Sequence, residues 1–124
     1  METLEKYQHA KDLYLAGQHA EAANIYAALA KEGSVDATVF YGWMCEQGIG
    51  IPKKENKALE LYESAASLGS AEANYWLGRR CERNRQRDKS KDYYERSASS
   101  NFSPAMYRLG KLAQEASRGK QNET

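Results

Sequence analysis

The sequence repeats itself, and the repeat restricts the possible folds more than any other feature. Three segments align without gaps: AANIYAALAKEGS from Ala22, ALELYESAASLGS from Ala58 and SKDYYERSASSNF from Ser90. A tyrosine holds the same position in each segment, namely Tyr26, Tyr62 and Tyr94. Near its end each segment has a residue type that tolerates a left-handed backbone, namely Gly33, Gly69 and Asn101. The period is 36 residues and then 32. Such a period indicates stacked structural repeats, each packed against its neighbours.

A second set of segments alternates with the first. It reads EKYQHAKDL from Glu5, ATVFYGWMC from Ala37, ANYWLGRRC from Ala73 and AMYRLGKLA from Ala105. Gly42, Gly78 and Gly110 coincide, with Ala10 in the same position of the first copy. A glycine inside a helix costs about 1 kcal/mol relative to alanine. Its recurrence therefore predicts that another helix packs too closely there for a side chain.

The mostly apolar positions of the second set fall at helical spacing, so the chain is expected to consist of helices. We predict seven of them, over 3–15, 19–32, 36–47, 55–68, 71–83, 88–100 and 104–117. The fold class is all-α, a right-handed α-solenoid of antiparallel helices in a single domain, residues 1–124. Its repeats are expected at 3–34, 35–70 and 71–102, followed by a half repeat at 103–117 and a frayed tail at 118–124.

One pair of segments resembles the Sel-one-like repeat, a relative of the tetratricopeptide repeat. Residues 37–70 match its pattern most fully, at Ala37, Tyr41, Gly42, Gly48, Gly50, Ile51, Ala58, Leu61, Tyr62, Ala65, Ala66 and Gly69. Residues 73–101 match with a loop four residues shorter, residues 5–33 look more like a tetratricopeptide unit, and residues 105–117 resemble a first helix without its partner. The chain departs from the pattern at Cys45, Lys54 and Cys81. The resemblance implies a scaffold or adaptor, of bacterial type, whose first helices line a concave groove.

The glycines of GIGIP, residues 48–52, have the spacing of part of a phosphate-binding loop. A dinucleotide fingerprint follows a strand, however, and this segment follows a predicted helix and lacks a third glycine and a P-loop Lys-Ser/Thr. We therefore interpret it as the turn between two helices of one repeat, with Ile51 directed inward.

Few residues of the chain have the arrangement that catalysis or metal binding requires. Cys45 and Cys81 occupy equivalent positions, which other repeats fill with leucine and alanine, so we expect both to be reduced, buried packing residues. His9 takes a position that is apolar elsewhere and should be partly buried, whereas His19 should lie in a solvated first turn. With no CxxC motif and no grouped Ser, His and acid, we expect no enzymatic activity, metal or cofactor.

The charges are distributed unevenly along the chain. Residues 1–78 carry six Lys and Arg against eleven Asp and Glu, and residues 79–124 carry twelve against six. No apolar run approaches the ~18 residues needed to cross a membrane, and the N-terminus does not resemble a signal peptide, so we expect a cytoplasmic protein.

Seven basic residues lie within residues 79–91, RRCERNRQRDKSK, against only Glu82 and Asp88. Two interpretations remain open: a solvated loop between helices, and a docking patch for an acidic protein surface. Nucleic acid is a weaker option, because the run contains no aromatic residue for base stacking.

The first helices carry a second stripe away from their packing positions. It contains Lys11, Phe40, Trp43, Trp76, Arg79, Arg108 and Lys111. Aromatic residues at helical spacing are often core residues, but here other residues already fill the core positions. We interpret the stripe as the partner-binding surface of the groove. The partner should be a protein segment with an apolar group followed by acids, and Lys11 would add charge only at the far end.

These features predict a non-enzymatic protein-binding adaptor. The alternatives are a regulatory or inhibitory subunit of an enzyme complex and a basic nucleic-acid-associated module. The helix from Pro104 should expose part of Leu109 and Leu112, and such an end invites self-association or a partner helix. The acidic and basic ends would then favour head-to-tail contact at low salt.

Overall fold

The computed structural model describes residues 2–122, and it forms seven α-helices with no strand in that range. The helices are α1 (Thr3–Leu15), α2 (His19–Lys31), α3 (Val35–Gln47), α4 (Glu55–Ser67), α5 (Ala71–Arg83), α6 (Arg87–Ala98) and α7 (Ser103–Asn122). The predicted bounds agree within two residues except at the last helix end. Because α7 continues to Asn122, residues 118–122 are helical, and the prediction of a frayed tail from residue 118 is wrong for them. The last two residues of that predicted tail lie outside the described residues.

The chain divides into two compact units, residues 1–70 and 71–124. The first unit contains α1 to α4, and its buried residues include alanines, Leu29 and the rings of Tyr26 and Tyr62. The second unit contains α5 to α7, and Tyr94, Ala105 and Leu112 are buried together there.

The second helix of each pair ends as the sequence predicts. Gly33, Gly69 and Asn101 have φ angles of 97°, 90° and 60°, in the left-handed region that glycine and asparagine tolerate best. The helix that follows the first of these turns begins with a capping serine. The Ser34 hydroxyl accepts a hydrogen bond from the Ala37 amide at 3.3 Å, which satisfies one of the free N–H groups at the start of α3.

The prediction that the recurring glycines mark close helix contacts is confirmed for Gly42 and Gly78, one in each unit, and is wrong for Gly110. A Cβ atom at Gly42 would lie 3.0 Å from the Tyr62 ring, and one at Gly78 would lie 2.6 Å from the Tyr94 ring. Both tyrosines are fully buried. The tyrosine of the second helix therefore fits against the glycine of the first. At Gly110 a Cβ atom would meet nothing within 4 Å.

The GIGIP segment forms the turn between α3 and α4. Gly50 has φ 76°, and a Cβ atom there would lie 2.5 Å from the backbone of His19, so only glycine fits without displacing the start of α2. Ile51 is half-buried and packs against the core of the first unit. The segment thus has a structural reason for its glycines.

Candidate functional site

In the first unit, two of the three predicted binding residues belong to an aromatic cluster. Phe40 stacks on Tyr26 with ring centres 4.5 Å apart and meets Tyr14 edge-on at 5.3 Å. Trp43 lies 5.7 Å from Phe40 and 6.2 Å from Tyr14. Both side chains are half-buried and pack against the core, whereas Lys11 is exposed. Phe40 thus stabilises the fold whatever else it does, and Trp43 lies beside it with part of its surface accessible.

In the second unit, the predicted residues differ in how they are held. Trp76 is half-buried with its ring centre 5.1 Å from that of Tyr75. Arg79 donates a hydrogen bond to the Tyr75 hydroxyl at 3.2 Å. Because this hydroxyl is neutral, the hydrogen bond does not compensate the charge of the guanidinium. Lys111 is exposed, and its ammonium lies 5.6 Å from the centre of the Tyr107 ring.

Arg108 forms an ion pair with Glu82, one of the two acids within the basic run. The Arg108 Nε donates to Glu82 Oε1 at 3.2 Å, and a terminal nitrogen of the same guanidinium contacts Oε2. The Tyr94 hydroxyl donates to the same Oε1 at 2.7 Å. The three side chains link α5, α6 and α7, so much of the Arg108 charge is compensated within the unit.

The sequence held a signal for this acid. Glu82 follows Cys81 directly, as Glu46 follows Cys45; Glu46 is buried and Glu82 is partly buried. An acid at the same position in two repeats indicates a shared structural role. Burial raises the pKa of Tyr94 to about 12, so this hydroxyl stays protonated and able to donate near neutral pH.

The basic run is mostly helical. Residues 79–83 end α5, residues 87–91 begin α6, and only residues 84–86 form the turn between them. The interpretation of the whole run as a loop is therefore wrong. Five of its basic side chains are exposed, namely Arg83, Arg85, Arg87, Lys89 and Lys91. Among them, Arg87 makes an exposed ion pair with Glu115 at 3.4 Å, and Lys91 makes one with Glu95 at 3.9 Å.

The two cysteines are free thiols in buried positions, as predicted. Burial raises the pKa of both Cys45 and Cys81, which leaves little reactive thiolate near neutral pH. Their environment is that of packing residues.

Both histidines differ from expectation. His9 is exposed and borders a mainly apolar groove of about 370 Å³ between α1 and α2, because α1 packs on α2 through Ala10 instead. His19 is half-buried, since the Tyr14 ring lies over it at 4.7 Å. Within residues 2–122, no three His, Cys, Asp or Glu side chains are grouped so that they could hold a metal ion.

The end of the second unit also differs from the prediction. Leu109 is half-buried as expected, but Leu112 is buried against α6, with 6% of its surface exposed. Two large apolar residues of α7 are exposed, Met106 at 52% and Tyr107 at 61%. None of the described helices is long and apolar enough to cross a membrane.

The comparisons with known proteins agree with this architecture. The sequence model of the Sel1 repeat matches residues 35–70, 71–102 and 103–123. No curated protein sequence matches the chain significantly. Among solved structures, a Sel1 repeat protein from Oxalobacter formigenes is 23% identical with a TM-score of 0.80, covering 90% of this chain and 46% of its own length.

A second solved structure is that of a protective antigen present in uropathogenic Escherichia coli strains, which displays an SLR fold. It is 22% identical with a TM-score of 0.81, and the match covers 95% of this chain and 27% of the antigen. The chain thus spans less than half the length of both proteins. At this identity the likeness shows the fold, an all-α helical repeat solenoid, as the sequence predicts. Since the repeat model covers well over half of the residues, the chain belongs to the Sel1 repeat family.

Proposed function

We propose that the chain is a non-enzymatic adaptor that binds a segment of another protein on the surface of its first helices. The observation that supports this most is the family: Sel1 repeats indicate a protein–protein interaction scaffold. The solenoid fold adds support, because stacked helix pairs present extended surfaces of side chains to a partner.

The anchors of the proposed site are Trp43 and Trp76, each half-buried and so partly available to a partner. A half-buried indole is already held by its neighbours, so covering the rest of it removes apolar area from water at a small entropic cost. Phe40 has a supporting part in this proposal, since its ring packs directly against Trp43.

The charge of the proposed site comes from Arg79 and Lys111, with Lys11 farther along the chain. The hydrogen bond of Arg79 to Tyr75 keeps its guanidinium charge available to an acid. Arg108 contributes less, because a partner carboxylate would have to compete with Glu82. The partner segment should therefore offer an apolar group followed by Asp, Glu or a free carboxylate.

A random peptide library provides the test. Selection of displayed twelve-residue peptides on the immobilised chain should enrich an aromatic or aliphatic residue followed by acids. Affinities of the selected peptides, measured by fluorescence anisotropy, should fall by about 10- to 30-fold for Trp43→Ala or Trp76→Ala, the loss of one interface hot spot. Leu68→Ala is the matched control, because Leu68 is a large exposed apolar residue outside the proposed site.

The result also separates the alternatives. Peptides that bind all these variants equally would place the site elsewhere on the chain. Enrichment of acids without an apolar residue would favour the basic run at residues 79–91 as the docking patch. Inhibition or activation of an enzyme by the chain would support the regulatory-subunit alternative. The cytoplasmic location stays a prediction.

A further inference from the structure

The last helix has the glycine of a glycine–tyrosine contact that occurs twice elsewhere in the chain, but no described tyrosine packs against it. Gly42 and Gly78 each receive the ring of a buried tyrosine from the following helix. Gly110 holds the equivalent position in α7, is exposed, and has nothing within 4 Å of where its Cβ would be. The repeat thus forms a ring-sized notch on α7 that the described residues leave open.

The same helix also presents an exposed ring. Tyr107 precedes Gly110 by three residues and is 61% exposed, and Met106 beside it is 52% exposed. The equivalent positions in α3 are nearly fully covered, with Thr38 at 8% and Val39 at 4%. This face of α7 is therefore one that the repeat normally buries, and it holds both a tyrosine and a glycine notch.

We propose that a second copy of the chain covers this face, with the two α7 helices antiparallel and Tyr107 of each fitted against Gly110 of the other. A two-fold axis passing between residues 108 and 109 places position 107 opposite position 110 of the partner copy, and the reverse. The two positions are about 4.5 Å apart along the helix, so both contacts form at once. Such a self-complementary patch suits a two-fold interface.

Charge distinguishes this arrangement from head-to-tail stacking. Lys111 is exposed on α7 and would lie only about 7.5 Å along the helix axis from its counterpart in the partner copy. Salt screens that repulsion, so association should strengthen as salt rises, whereas contact between an acidic and a basic end would weaken. A one-helix interface is smaller than the ~800 Å² per partner of stable complexes, so we expect a dissociation constant of about 1 µM to 1 mM.

The test uses the whole chain in sedimentation equilibrium. Gly110→Leu should weaken association at least tenfold without lowering the thermal stability of the monomer, because its side chain fills open space. Tyr107→Ser should weaken association similarly. Gly119→Leu is the matched control on the same helix, since Gly119 is equally open and lies outside the proposed contact; it should associate like the unmodified chain.

Cross-linking tests the orientation. When Y107C and G110C chains are mixed under oxidising conditions, the disulfide should join one chain of each kind, because position 107 faces position 110. Preferential Y107C–Y107C bonds would indicate parallel helices and overturn the proposal. So would a chain that stays monomeric up to about 1 mM in high salt, or a Gly110→Leu variant that associates like the unmodified chain. The adaptor function would survive each of these failures, since its proposed anchors are Trp43 and Trp76.

Discussion

Replacing Gly78 by alanine should destabilise the fold, although alanine is the better helix former. The added Cβ would lie 2.6 Å from two carbons of the Tyr94 ring, closer than packed atoms approach. The ring cannot move aside easily, because it is fully buried and its hydroxyl is hydrogen-bonded to Glu82. Overpacking of this kind costs about 1–3 kcal/mol, and the gain in helix propensity offsets about 1 kcal/mol of it. We expect a net loss of up to about 2 kcal/mol.

Two equivalent glycines provide the controls. Gly42→Ala should cost less, because its Cβ would lie 3.0 Å from the Tyr62 ring, a distance that a small shift relieves. Gly110→Ala should stabilise the monomer by about 1 kcal/mol, since nothing opposes the propensity gain. Urea titration, supported by thermal unfolding at about 3–5 °C per kcal/mol, measures all three at a concentration where the chain is monomeric. If Gly78→Ala were as stable as Gly110→Ala, the close glycine–tyrosine contact would not exist in solution.

The remaining predictions concern single groups. Cys45 and Cys81 should react slowly with a thiol reagent in the folded chain and rapidly in denaturant, because both are buried with a raised pKa; fast labelling of the folded chain would contradict this. Tyr26 and Tyr94 have their pKa raised by burial from 10.0 to about 12, so the unfolded chain loses these protons first. Stability should hold below pH 10 and fall as the pH rises towards 12, as ultraviolet titration with circular dichroism would show. A labelled single-stranded oligonucleotide should bind the basic residues 79–91 only weakly, at about 10⁻⁴ to 10⁻⁶ M and with strong salt dependence; tight binding at physiological salt would favour the nucleic-acid alternative.

The positions of the helices could be predicted because local signals and the repeat agree. Each of the three repeats has a closing Gly or Asn with a left-handed backbone, a Gly or Ala in its first helix with a Tyr in its second, and an apolar stripe, so an error in one copy is corrected by the others. The end of α7 had no such support. No later segment repeats it, and residues after 117 are mostly polar, which gives the helix no apolar periodicity to follow there.

The contacts of the predicted site were harder to derive, because they depend on which neighbour each residue meets. Leu112 was expected at an open end, yet it is buried against α6. His9 was expected in an apolar position, yet its face of α1 borders an open groove. Equivalent positions have equivalent surroundings only where the neighbouring helices are the same, and the first and last helices of the array lack one neighbour each within the described residues.

Equivalent positions of the first helices make corresponding contacts within each unit. Phe40 and Arg108 hold equivalent positions, three residues into the repeated segment. Each contacts the preceding first helix of its unit, Phe40 through Tyr14 and Arg108 through Glu82. Tyr14 and Glu82 are themselves equivalent to each other. This pair of positions therefore joins successive first helices, through ring packing in one unit and an ion pair in the other. The positions three residues later hold Lys11, Trp43, Arg79 and Lys111. Trp43 also contacts Tyr14 of the preceding first helix, so its substitution should change both binding and stability. Substitutions at Lys11, Arg79 and Lys111 should change binding more than stability.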